Sequence, residues 1–112
     1  MKINYTSKWL FQKIFAVLFL ITAFYVIYSL TNLELENYIV IKKWFKNYFN
    51  SLSVLILFTS IFLHSNIGLT SIIDDYIHDE LFKTKISLLK NFFFAVLFFI
   101  TIFSLVGLII NE

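Results

Sequence analysis

The sequence predicts an all-α membrane protein with three transmembrane helices, on three observations. The 112 residues are 60% hydrophobic and only 14% charged, too apolar for a soluble domain that must cover its surface with polar groups. The apolar residues fall into three long runs separated by short polar stretches. No proline interrupts any run, and a helix needs roughly 20 such residues to cross the hydrocarbon layer. There is room for three spans and little else, so the chain reads as a single membrane domain with no soluble catalytic unit.

The first span falls at about residues 10–30, where IFAVLFLITAFYVIYSL carries no charge after Lys13 and Trp9 suits the membrane interface. This run is too long for a secretory signal and lacks a small-residue cleavage site before Thr31, so it is expected to persist in the mature protein. The connection that follows, TNLELENYIVIKKWFKNYFN, mixes Lys42, Lys43 and Lys46 with Trp44, Phe45, Tyr48 and Phe49. Cations interleaved with aromatics predict a segment lying along the membrane surface. Span two is placed at about residues 51–73 and is closed by Asp74 and Asp75. A polar loop is expected from Asp74 to Lys90, then span three at about residues 91–110, stopping at Asn111 and Glu112.

Three spans put the N-terminus and the second loop on one side. That side carries Lys2, Lys8, Lys13, Lys83, Lys85 and Lys90, against Lys42, Lys43 and Lys46 opposite. The positive-inside rule then places the N-terminus in the cytoplasm or matrix. Every basic residue is a lysine and the net charge is only +2, unlike the dense arginine-bearing patch of a nucleic-acid binder. With no cysteine, disulfides and thiolate sites are excluded. A metal would fall to His64, His78 or carboxylates.

The second span is the informative one. Ser60, His64, Gly68, Ser71 and Asp75 recur at helical spacing and so share one face. An imidazole within a span is costly unless it faces the bundle interior with a partner, so His64 is a candidate functional residue. Haem iron suits it, because neutral imidazole is a common axial ligand and Gly68 one turn on would admit a flat macrocycle. The same spacing equally fits a His64 that hydrogen-bonds a serine or carbonyl of another helix, with Gly68 as a packing contact. One histidine fills one axial position, and His78 falls in the polar loop, so a six-coordinate haem implies a partner subunit. Asp75 and Tyr76 follow about 16 to 18 Å along the axis. A boundary tyrosine can donate to a quinone carbonyl, although aspartates after a span also simply end it.

The segment His64-Ser-Asn-Ile-Gly68-Leu-Thr-Ser-Ile-Ile-Asp-Asp75-Tyr76-Ile resembles the signature of the D-type membrane-anchor subunits of succinate dehydrogenase, respiratory complex II. That signature has the form H, two residues, I/V-G, six residues, then D-Y-V/I, and it fits here without a gap. The three-span topology and the motif's place in span two also match. The resemblance implies that His64 is one axial ligand to haem b, shared with a C-type membrane-anchor subunit. It implies that Tyr76 hydrogen-bonds ubiquinone beside Asp75, and that flavoprotein and iron-sulfur subunits are further partners. Lys13 stands where the family usually has arginine, so it would pair a haem propionate as a point charge rather than a planar fork. A mitochondrial or bacterial inner membrane is the implied location. The rival readings are a non-redox structural or assembly subunit, whose polar stripe packs on a partner, and a small pore with the stripe facing its channel.

Overall fold

The computed structural model describes residues 5–110, which form four helices: α1 (Tyr5–Thr31), α2 (Tyr38–Lys46), α3 (Tyr48–Tyr76) and α4 (Glu80–Ile110). Lys2, Asn111 and Glu112, used above for orientation and for the end of span three, lie outside the described residues. The three long helices have 27, 29 and 31 residues, or about 40 to 46 Å at 1.5 Å per residue. Each is long and apolar enough to cross a membrane, with a turn or more left over beyond a hydrocarbon layer of about 30 Å.

All three helices extend past the expected spans, and α4 does so most. The expected loop from Asp74 to Lys90 shrinks to residues 77–79, because α4 begins at Glu80 rather than near Asn91. The physical reason is the absence of any breaker in ELFKTKISLLK: charge marks where a helix leaves lipid, not where it stops. Asp79 starts the helix, its carboxylate accepting from Leu81 N at 3.2 Å, and Glu80 in the first turn suits the helix dipole.

The first connection, expected only to lie along the membrane surface, holds its own helix. Asn37 caps α2 by accepting from Ile39 N at 3.0 Å. Asn47 then serves two helices at once. Its backbone N–H donates to Trp44 O at the end of α2, and its side chain accepts from Phe49 N at 3.0 Å to start α3. The chain turns sharply there with one residue between helices.

Packing is centred on α3, which lies against α1 along one face and α4 along another, whereas α1 and α4 make no close backbone approach among the described residues. A small apolar core of Val26, Trp44, Val54 and Leu105 joins the helices at the α2 end. Around it runs a polar lock. Tyr25 Oη donates to Asn50 Oδ1 at 2.6 Å, Asn50 Nδ2 donates to Trp44 O at 3.1 Å, and Trp44 Nε1 donates to Ser29 Oγ at 2.7 Å. Ser51 Oγ donates to Phe45 O. Elsewhere in the spans Thr22, Ser53, Thr70, Ser71 and Thr101 donate their hydroxyls to the carbonyl four residues back, which satisfies them without a second helix.

Buried Asn50 is the hub of this lock. Substitution Asn50→Leu should leave the Tyr25 hydroxyl without its partner, leave the Trp44 carbonyl with Asn47 N–H alone, and lower stability by about 1–2 kcal/mol. Lys43→Ala, on the exposed face of α2, should cost under about 0.5 kcal/mol. Unfolding by dodecyl sulfate in mixed micelles measures both.

Candidate functional site

The polar face of α3 read from the sequence meets α1, with Ser60 buried and His64, Gly68 and Ser71 half-buried. His64 Nδ1 donates to the backbone carbonyl of Gln12 across the helix interface, at 3.0 Å. A carbonyl can only accept, so Nδ1 carries the hydrogen, and in the neutral ring Nε2 then keeps its lone pair. Helix carbonyls have two lone pairs, so Gln12 O serves the ring without leaving its own helical bond. Metal-ligating histidines are commonly oriented in this way, by a carbonyl on the nitrogen that does not bind the metal.

One turn further on, the Gln12 side chain lies over Gly68. A Cβ built on Gly68 would stand 3.3 Å from Gln12 Nε2, tighter than ordinary van der Waals contact. His64, Gly68 and Gln12 thus form one contact, in which the backbone of α1 holds the imidazole and its side chain covers the glycine. These are the features of a helix-packing contact, the other reading that the spacing left open. Gln12 was not among the residues singled out by chemistry. Its signal is its place four residues after Lys8, on the stripe of α1 that continues through half-buried Phe15 and Phe19 to buried Val26.

The remaining sequence candidates lie elsewhere. Lys13 is one residue round from Gln12 and exposed, with its ammonium 5.4 Å from the centre of the Trp9 ring. Tyr76, the last residue of α3, is 78% exposed, and Asp75 is exposed beside it. They lie about 16 to 18 Å along the axis from His64. His78 is exposed in the short connection to α4. Among the described residues no group of three or more His, Asp or Glu side chains is placed to hold a metal ion, so any metal here would depend on His64 and donors from outside the chain.

Two further polar contacts flank this site. Asp74, rather than Asp75, is the paired aspartate: Lys8 of α1 approaches it at 3.4 Å and Lys83 of α4 at 4.0 Å. On the opposite side of α3 from His64, Lys90 Nζ donates to Asn66 Oδ1 and Thr70 Oγ1, each at 2.5 Å.

No protein family, curated protein or solved structure matches the chain. What is established is a small all-α protein with three helices suited to crossing a membrane.

The Gln12–Gly68 contact makes a size-dependent prediction. Gly68→Ala should stay within about 1 kcal/mol of the unmodified protein, since the helix gains from losing a glycine and the group in the way is the end of a flexible side chain. Gly68→Leu should force α1 away and cost about 1–3 kcal/mol. A spin-label distance between α1 and α3 should lengthen only in the leucine variant.

Proposed function

We propose that this chain is the D-type membrane-anchor subunit of a succinate:quinone oxidoreductase. The observation that carries the reading is His64, near the middle of a membrane-length helix, with Nδ1 donating to Gln12 O, the bond that leaves Nε2 of a neutral ring free to bind. The His64–Gly68–Asp75–Tyr76 signature on one uninterrupted helix supports it. So does the distribution of lysines, with Lys8, Lys13, Lys83, Lys85 and Lys90 toward one end and Lys42, Lys43 and Lys46 at the other. On this reading the lysine-rich end faces the cytoplasm or matrix of a bacterial or mitochondrial inner membrane.

His64 Nε2 would hold the iron of haem b, with the other protein ligand coming from the C-type anchor subunit. Bound there, haem supplies one-electron storage. Gln12 O orients the imidazole. The Gln12 side chain must leave Gly68 for a macrocycle to approach the glycine. Lys13 reaches a propionate only by leaving Trp9.

Tyr76 and Asp75 form the quinone end of the reading. The Tyr76 hydroxyl donates to a quinone carbonyl, and Asp75 passes protons from the aqueous side. Reduction of ubiquinone takes two electrons, delivered through the iron-sulfur subunit from succinate oxidised on the flavoprotein subunit, and two protons from the adjoining water. An exposed helix end gives those protons a short route.

A non-redox structural subunit is the second reading. It is favoured by the way Gln12 already satisfies His64 and covers Gly68 within this one chain.

A reduced-minus-oxidised absorption spectrum of the detergent-purified complex separates the two. A b-type haem band that vanishes in His64→Ala is the expected result, together with roughly ten-fold or greater loss of quinone reductase activity in Tyr76→Phe, the scale of a lost hydrogen bond to a reacting group. Absence of both the band and succinate:quinone reductase activity from the native complex would leave the structural reading.

A further inference from the structure

Three lysines stand together on α2 with no counter-charge beside them. At about 100° per residue, Lys42, Lys43 and Lys46 fall within one arc of roughly 100° that also holds Ile39, and the middle of that arc is turned away from Trp44. The rotation of α2 is fixed, because Trp44 is buried against Val26, Val54 and Leu105 and its Nε1 donates to Ser29 Oγ at 2.7 Å. Lys43 and Lys46 are exposed, while Lys42 is half-buried with its ammonium 6.0 Å from the centre of the Tyr38 ring. Among the described residues no carboxylate lies within 4.0 Å of any of these three nitrogens. Glu34 and Glu36 line the neighbouring hollow on the preceding turn, whereas Tyr38, Ile39 and the three lysines line a shallow hollow of their own.

The depth of α2 narrows what could neutralise this face. From Asn91 to Ile110 the chain has no charge, and these roughly 20 residues span about 30 Å, the thickness of the hydrocarbon layer. Leu105, which Trp44 meets, lies about one and a half turns short of the end of that run. The helix is therefore laid across the edge of the layer, with Trp44 reaching inward and the lysines at the level of lipid headgroups. Ile39 is 74% exposed among the cations and Tyr38 is 59% exposed beside them. A phospholipid at that level brings a phosphate to the ammonium groups and its glycerol region to cover Ile39 and Tyr38. A zwitterionic headgroup carries its own cation beside the phosphate, so unneutralised lysines favour a lipid of net negative charge.

We infer that the outward face of α2 binds anionic phospholipid headgroups, whose phosphates accept from Lys42, Lys43 and Lys46. The inference does not rest on the redox reading, since α2 lies at the opposite end of the bundle from Asp75 and Tyr76.

The test uses the full chain with a benzophenone photocrosslinker at position 39, in vesicles of phosphatidylcholine and phosphatidylglycerol mixed about four to one, and identifies the lipid adducts by mass spectrometry. Phosphatidylglycerol should be captured about five-fold or more above its share of the vesicle, the scale of even one lysine at an anionic surface. Replacing Lys42, Lys43 and Lys46 together by glutamine should bring capture down to that share. Lys85→Gln, at the other end of the bundle, should leave the enrichment unchanged. Capture in proportion to vesicle composition, with the lysines intact, overturns the inference. Undiminished enrichment in a triple-glutamine chain that is helical by circular dichroism also overturns it. So do adducts in native membranes that join position 39 to an acidic protein and to no lipid.

Discussion

Helices surrounded by lipid gain no hydrophobic energy from meeting each other, because the tails they displace are as apolar as their own side chains. Association must then be specified by polar contacts and close packing, and in this protein α3 supplies the polar contacts to both neighbours. One side of it meets α1 through His64, Gly68 and Gln12. Another meets α4 through Asn66, Thr70 and Lys90. Asp74, near its C-terminal end, draws in one lysine from each neighbour, while Asn50, near its N-terminal end, ties α1 and α2 to it. Since α1 and α4 do not approach each other among the described residues, the register of each is set by α3 and, at one end, by Trp44 of α2.

This dependence explains which parts of the structure were legible in the sequence. Membrane-spanning helices show themselves by length and composition, so the all-α class and all three spans were readable. The cation–aromatic composition of α2 was visible too, whereas its limits, set by the Asn37 side chain and the Asn47 backbone N–H, were not read from the sequence. The long N-terminal part of α4 was hidden because its lysines end the apolar run at Lys90, and charge marks a change of solvent rather than a break in hydrogen bonding. Lys90 was read as the edge of a span for the same reason, although it donates into the α3–α4 interface.

The candidate site was half legible, and the division follows helix geometry. Spacing along α3 put His64 and Gly68 on one face, and they do share a face. What stands opposite them depends on the register between α1 and α3, which no single-helix pattern contains. The family resemblance drew attention to Lys13, but a step of one residue rotates the side chain by about 100°. That rotation decides between Gln12, which meets His64 and Gly68, and Lys13, which lies outside over Trp9. Asp74 and Asp75 divide in the same way, the first turned toward two lysines and the second left exposed.

The few residues that are buried bear on how the chain works. Val26, Trp44, Val54, Ile73 and Leu105 are the only buried apolar side chains among the described residues, while Phe24, Phe92, Phe103 and many others are exposed. Lipid can cover such surfaces and so can partner helices, but lipid cannot accept a hydrogen bond within the hydrocarbon layer or neutralise a charge there. The polar groups therefore carry more information about what surrounds the chain than the apolar ones do. Five hydroxyls find their partner in a carbonyl four residues back, and Tyr25, Trp44, Asn50 and Ser51 find theirs at the α2 end. Among the described residues His64 Nε2 has no hydrogen-bond partner within the chain. A packing role for His64 is fulfilled once Nδ1 has found Gln12, whereas a ligand role begins at that point, because the same bond presents Nε2 in the form that a metal requires. The Gln12 contact is thus a precondition of the redox reading as well as the strongest feature of its rival, and only occupancy at Nε2 separates them.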